Sequence, residues 1–233
     1  MILVVGIYLE KQKNNIEDIV DNISLTRNWE VVQKWVSIGK KSNNKKVREV
    51  TVESYKNNIA KFIILNSLLR EENLENYDFL IICDDDVILP ENFLDRYLEY
   101  VKRYDFSLAQ PARTHNSFID HHFVECLDGL VARRTRFVEI GPVLSIRKDA
   151  YDILLPFDET SYMGWGYDFV WPYFIEKAGL KMGIVDAVPV DHSIRKPVKN
   201  YEYSEANISM QKYLSKNPHL SKDEAFVILE SYV

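Results

Sequence analysis

The sequence predicts an α/β fold in which a mostly parallel central sheet carries helices on its faces. Two observations predict it. Strand-like apolar runs alternate with stretches of helical period through the first hundred or so residues, the pattern of strands joined by helical crossovers. The two clearest runs, residues 2–9 and 79–83, are apolar at successive positions, as strands covered on both faces must be.

Each element follows from its own residues. Residues 2–9 form the first strand. Ile16, Ile19, Val20 and Ile23 fall at i, i+3, i+4 and i+7 and mark one helix face. Asn14 or Asn15 caps that helix, and Glu17 and Asp18 suit the positive end of its dipole. Residues 30–38 read as the second strand, and 40–48 as a polar, strongly basic loop. Ile59, Phe62, Ile63 and Leu69, with Leu65 and Leu68, mark a second helix. Residues 79–83 form a central strand that ends abruptly in Asp84-Asp85-Asp86. Pro90 suits the first position of a third helix, which Leu94, Tyr97, Leu98 and Val101 continue.

The second half is less regular. Residues 107–111 and 138–146 read as strands, separated by a polar stretch that carries His115, His121, His122, Arg133, Arg134 and Arg136. A short helix covers 150–155. Residues 162–168 form a loop that enters a helix running to Gly179, and 184–190 is the last strand, followed by Asp191-His192. Two amphipathic helices complete the tail. The second opens on a Ser221/Glu224 capping box before Ala225, Ile228, Leu229 and Tyr232. The expected organisation is one domain over 1–197 with a helical extension, 198–233, packed on it.

Composition narrows the function. The chain has 233 residues, 46% hydrophobic and 27% charged, a globular balance that excludes disordered and collagen-like classes. Its net charge of -6 argues against nucleic-acid binding, which needs a basic excess. Two cysteines without CxxC spacing give neither a disulfide framework nor a zinc site. The first apolar run is too short to span a bilayer and has no basic stretch before it. The expectation is a cytoplasmic protein without a transmembrane segment, with peripheral contact at the inner face of a membrane open to the tail helices.

Three local patterns carry chemistry. The acidic triplet closes an apolar strand, and ligands of open α/β sheets bind beyond the carboxyl ends of strands. Strand alternation puts Asp84 and Asp86 on one side and Asp85 on the other. Paired carboxylates repel unless a divalent cation joins them, and hard oxygen donors suit Mg2+ or Mn2+, which would grip a diphosphate. A solvated acidic turn is the plainer reading. In Gly164-Trp165-Gly166-Tyr167-Asp168, the glycines permit close approach, Trp165 and Tyr167 offer flat faces to a sugar, and Asp168 suits a general base. The alternative is a glycine turn with aromatics in the core and Asp168 capping a helix. Lastly, His192 after a strand end either completes a metal shell or is structural. The basic loop 40–48 suits a lid over phosphate or a solvated surface. Lys61 suits a nucleotide contact, and Arg133, Arg134 and Arg136 a phosphate or anionic acceptor.

The order of these patterns resembles that of GT-A glycosyltransferases, which use nucleotide-sugar donors. The stretch 77–192 is also similar to a largely uncharacterised GT-A-like family best known from plants, through Asp84 to Asp86, Gln110-Pro111-Ala112, Phe137-Val138-Glu139 and Trp165-Gly166-Tyr167-Asp168. The resemblance implies a GT-A sheet and a Mn2+ or Mg2+ cofactor held by Asp84, Asp86 and His192. Asp84, Asp85 and Lys61 would contact the nucleotide of a UDP- or GDP-sugar. Trp165, Gly166, Tyr167 and Glu139 would lie against the sugar or a glycan or lipid-linked acceptor. Asp168 stands where inverting members keep their base, although Tyr167 precedes it where Glu is more usual. Two rival readings are an inactive carbohydrate- or nucleotide-binding module of the same shape and a nucleotidyl or phosphoryl transferase. The second lacks a GxxxxGK[ST] phosphate loop.

Overall fold

A computed structural model of the chain describes residues 1–196 and 203–233. The strands are β1 (Ile2–Leu9), β2 (Val31–Ile38), β3 (Thr51–Tyr55), β4 (Phe79–Asp84), β5 (Phe106–Arg113), β6 (Ala132–Thr135), β7 (Val143–Arg147), β8 (Lys181–Val190) and β9 (Ile228–Tyr232). The helices are α1 (Ile16–Ser24), α2 (Lys45–Val50), α3 (Lys61–Arg70), α4 (Phe93–Arg103), α5 (Tyr151–Leu154), α6 (Tyr167–Lys177), α7 (Tyr203–Leu214) and α8 (Lys222–Ala225).

Among the described residues, nine strands join one sheet in the order β3-β2-β1-β4-β7-β5-β8-β6-β9. The pairs β1–β2, β1–β4, β2–β3 and β5–β8 are parallel, and only β6 and β7 run against the rest. β1 shows why the sheet is buried. Ile2 and Val4 point into one apolar cluster with α1 and α4, while Leu3 and Val5 point into another with α3 and α6. Strand order reverses at β1, so the carboxyl ends of β1 and β4 border the crevice where such sheets bind ligands.

Several elements depart from the sequence reading. The basic loop is folded: Asn44 accepts from the Lys46 and Val47 N–H groups to cap α2, and β3 follows. α2 buries only Val47, so it has no apolar period to read. Pro90 does not begin the third helix. Asn92 turns the chain in the left-handed region (φ 53°), and α4 starts at Phe93. The strand expected over 138–146 begins only at Val143, after a cis Gly141–Pro142 peptide. A strand unread in the sequence, β6, lies earlier, with Arg133 2% exposed and 3.2 Å from Asp186 of β8.

In the tail, the Ser221/Glu224 capping box is present, but its helix stops at Ala225. Residues Ile228–Tyr232 form β9, antiparallel to β6, and Tyr232 stacks on Tyr104 at 4.0 Å. The apolar spacing there serves a strand instead of a helix face. The boundary expected at 197/198 lies outside the described residues. Among the described residues, no helix is long and apolar enough to cross a membrane.

Candidate active site

The acidic triplet sits where β4 gives way to a turn. Asp84 is the last strand residue, so alternation along the strand stops there and does not send Asp85 away from its neighbours. Asp85 is 2% exposed and receives the Leu9 N–H at 2.6 Å, which joins it to the end of β1. Arg195 Nη2 donates to Asp85 Oδ1 at 2.6 Å and lies 2.9 Å from Asp86 Oδ2. Lys61, the first residue of α3, donates to Asp84 Oδ1 at 2.6 Å. Each aspartate of the triplet therefore faces a basic side chain, which limits the cost of gathering three carboxylates.

A backbone bridge brings the fourth group in. Ile88 and Asp191 exchange N–H···O bonds of 2.8 and 3.2 Å, strapping the chain after the triplet to the end of β8. The His192 N–H donates to Ser117 Oγ at 2.9 Å, which fixes the residue further. Its imidazole Nε2 then lies 3.2 Å from Asp86 Oδ1. Burial pushes the Asp86 carboxyl up, but the hydrogen bond from His192 and the nearby charges of Arg195 and Lys61 outweigh it and hold it below the usual range. Asp85, more deeply enclosed, is pushed up by burial to about 6 despite Arg195.

The 3.2 Å between Asp86 Oδ1 and His192 Nε2 is a hydrogen-bond distance and is also close to the spacing of two adjacent ligands on a divalent cation. Octahedral Mg2+ with bonds of about 2.1 Å has adjacent ligands about 3.0 Å apart, and it takes one or two protein carboxylates with water and phosphate oxygens completing the shell. Among the described residues, no group of three or more His, Cys, Asp or Glu side chains converges on one point, so Asp84 does not join that pair in a closed cage. Asp84 instead lies with Lys61 beside Gly141, where an added Cβ would stand 3.1 Å from Asp84 Oδ2 and 3.3 Å from Lys61 Nζ.

Arg113, at the end of β5, connects this cluster to a second one. It is 4% exposed, and its Nη1 lies 3.1 Å from His192 Nδ1 while its Nη2 donates to Glu139 and to the Gly141 carbonyl. Burial pushes Glu139 up to about 7 against the pull of Arg113, and Glu139 Oε1 has no hydrogen-bond partner among the described residues. Asp168, in the first turn of α6, is also buried and its Oδ1 is likewise without one. Burial first, and the charge of Glu139 second, push Asp168 up to about 7.

The Gly-Trp-Gly-Tyr-Asp turn owes its shape to backbone needs. Gly164 (φ +82°) lies against the Phe62 ring, which an added Cβ would meet at 2.1 Å, and Gly166 (φ +92°) begins α6 beneath Met210 and Leu214 of α7. Trp165 is half-buried, with Tyr203 packed edge-on at 4.8 Å. Tyr167 is not a sugar platform. It is fully buried among Phe62, Phe157, Trp171 and Tyr213, and its hydroxyl donates to the Asp158 carbonyl at 2.6 Å. Gly166 is likewise buried, under Met210 and Leu214 of α7.

The other basic residues serve the scaffold. Arg133 donates to the carbonyls of Phe123 and Glu125, Arg134 pairs with Glu230, and Arg136 with Glu176. His121 packs edge-on against Phe137 and Phe226, whereas His122 shares Glu125 with His115 at the surface. Lys41 donates to the Thr51 carbonyl and Lys46 to Asp21, so the basic stretch is engaged with its own neighbours. Arg113 and Arg195 are the groups that sequence reasoning missed. The need to compensate three adjacent carboxylates was the available signal for Arg195, and nothing in the local pattern marked Arg113.

No family model matches the chain, and no curated protein matches its sequence. The resemblance to a family best known from plants therefore finds no support. Solved structures do match. A mannosyltransferase, PcManGT from Pyrobaculum calidifontis, in complex with GDP-Man and Mn2+, aligns with TM-score 0.58 at 15% identity over 84% of this chain and 57% of its own. GalNAc-T7 with UDP, GalNAc and Mn2+ aligns with TM-score 0.60 at 12% identity over 87% and 44%. TarS of S. aureus aligns with TM-score 0.55 at 10% identity over 81% and 59%. The chain thus spans about half the length of the solved proteins it matches. Likeness at these identities speaks for architecture, and the architecture is the GT-A glycosyltransferase fold.

Proposed function

We propose that the protein is a metal-assisted glycosyltransferase that moves a sugar from a UDP- or GDP-linked donor to a hydroxyl of a glycan or lipid-linked acceptor. The observation that carries the reading is the 3.2 Å approach of Asp86 and His192 at the carboxyl edge of the sheet. Two of the fold neighbours hold Mn2+ together with GDP-Man or UDP.

In this reading Asp86 and His192 hold the cation, with Asp84 turned toward the nucleotide. The cation, when bound, neutralises the charge that develops on the departing diphosphate. Arg195 and Lys61 already hold positive charge beside the triplet and add to that field. Asp168 receives the acceptor hydroxyl proton through Oδ1, which has no hydrogen-bond partner among the described residues, and the resulting nucleophile attacks the anomeric carbon opposite the leaving group, inverting it. Glu139, joined to the donor end by Arg113, positions the acceptor.

The test is a thermal-shift screen of UDP, GDP and their sugars with and without Mn2+. A ligand present at 100 times its dissociation constant adds about 2.7 kcal/mol of stability. A shift that requires Mn2+ and disappears in Asp86→Ala supports the reading. Equal shifts in excess chelator would remove the metal from it, and no shift with any nucleotide would favour a binding module for another ligand.

A further inference from the structure

The arrangement around His192 constrains more than its distance to Asp86. Its Nδ1 faces Arg113 Nη1 at 3.1 Å, and a guanidinium has hydrogens to give and no lone pair to offer. Nδ1 therefore accepts, and the ring proton of the neutral imidazole resides on Nε2, directed at Asp86 Oδ1. A histidine that ligates through Nε2 needs the opposite tautomer, with its proton on Nδ1 and an acceptor facing it. In that tautomer, the Nδ1 proton and the Arg113 N–H would point at each other. The contact with Arg113 and a cation on Nε2 exclude one another.

Arg113 has other places to go. Nη1 also reaches the Phe118 carbonyl at 3.3 Å, and Nη2 holds Glu139 and the Gly141 carbonyl. We infer that Arg113 is a positioning residue that competes with the cation for His192 and, on yielding, is left to Glu139 and to the Gly141 and Phe118 carbonyls that it already holds, so that occupancy of the donor end is sensed at the acceptor end. This rests on the metal-assisted reading of the site. Because such coupling is reciprocal, whatever draws Arg113 toward Glu139 strengthens cation binding, and the cation strengthens the grip on Glu139 by the same factor.

The test combines NMR of the His192 ring nitrogens with titrations of Mn2+ alone and of Mn2+ with UDP or GDP. In the metal-free wild type, the proton is expected on Nε2, and with Mg2+ and UDP or GDP it is expected on Nδ1. Arg113→Lys keeps the charge beside Glu139 but has no planar fork to reach His192 as well. It should bind Mn2+ about 5–10-fold more tightly than the wild type, at a melting temperature that confirms folding. Simple electrostatics predicts no change, because the charge is retained, and a loosened scaffold predicts weaker binding. A metal-free wild-type ring protonated on Nδ1 would overturn the inference, as would unchanged or weaker Mn2+ binding in Arg113→Lys. Should the wild type bind no Mn2+ under any condition, the metal-assisted function fails, while the ring-proton measurement still decides whether Arg113 fixes the tautomer.

Discussion

The charge of Glu139 acts on Asp168, and with the larger effect of burial it leaves the Asp168 carboxyl at about 7 in the folded chain. An unfolded aspartate loses its proton near pH 4. Between these values the unfolded chain has released a proton that the folded chain retains, so stability falls as pH rises through the window. Glu139, raised to about 7, and Asp85, raised to about 6, act in the same direction. Asp86, held below its usual range, contributes oppositely, with stability that is lost on acidification. The melting temperature should therefore decline from pH 5 to pH 8, and Asp168→Asn should flatten part of that decline. Parallel curves for the two proteins would exclude Asp168 as a source.

Catalysis should follow the opposite trend. A base works only when ionised, so transfer should accelerate as pH rises through about 7. Asp168→Asn should reduce turnover by about 10²–10⁴-fold while leaving Mn2+-dependent nucleotide binding near the wild-type value. Initial rates beside a binding titration measure both, and near-normal turnover would take the proton-accepting role away from Asp168.

Removing Arg195 leaves Asp85 buried without its counter-charge. Breaking a buried ion pair from one side costs about 3–5 kcal/mol, so Arg195→Ala should move the urea midpoint down markedly. Asp85→Asn in the same chain should restore much of the loss, since the stranded charge is then gone. If the double variant is no more stable than Arg195→Ala, the loss came from another contact of the guanidinium, such as its 2.9 Å bond to the Lys13 carbonyl.

Gly164 and Gly129 provide a matched pair. Their φ angles are +82° and +84°, but an added Cβ meets the Phe62 ring at 2.1 Å in the first and nothing within 4 Å in the second. Both alanine variants incur the left-handed penalty of roughly 1–2 kcal/mol. Gly164→Ala should lose about 1–3 kcal/mol more from overpacking. Equal losses in denaturant unfolding would mean that Phe62 moves aside freely.

The parts of the fold legible in the sequence were those fixed by local apolar pattern. β1 and β4 are apolar on both faces, and α1 and α4 have clean stripes. β6 was hidden because Ala-Arg-Arg-Thr looks like surface, and what buries Arg133 is Asp186 on a strand far along the chain. β9 was hidden because apolar residues at helical spacing do not distinguish a helix face from a strand laid on an open sheet edge. The site divides similarly. The proximity of Asp86 and His192 was legible only through the resemblance, because a histidine after a strand end is by itself as compatible with a structural role. Tyr167 was misread because a flat ring serves a core as well as a sugar, and its 0% exposure decides for the core. Arg113 acts through partners that only the tertiary fold assembles.

One helix roof has a practical consequence. Met210 and Leu214 of α7 cover Gly166, and Tyr213 packs on Tyr167, the residue that precedes Asp168. The imidazole and guanidinium beside the acidic triplet lie just upstream on the same stretch of chain. Segment exchange with a relative must therefore transplant the stretch from His192 to Leu214 as a block together with the turn it shelters, because a chimaera joined between them would pair one parent's lid with the other parent's floor.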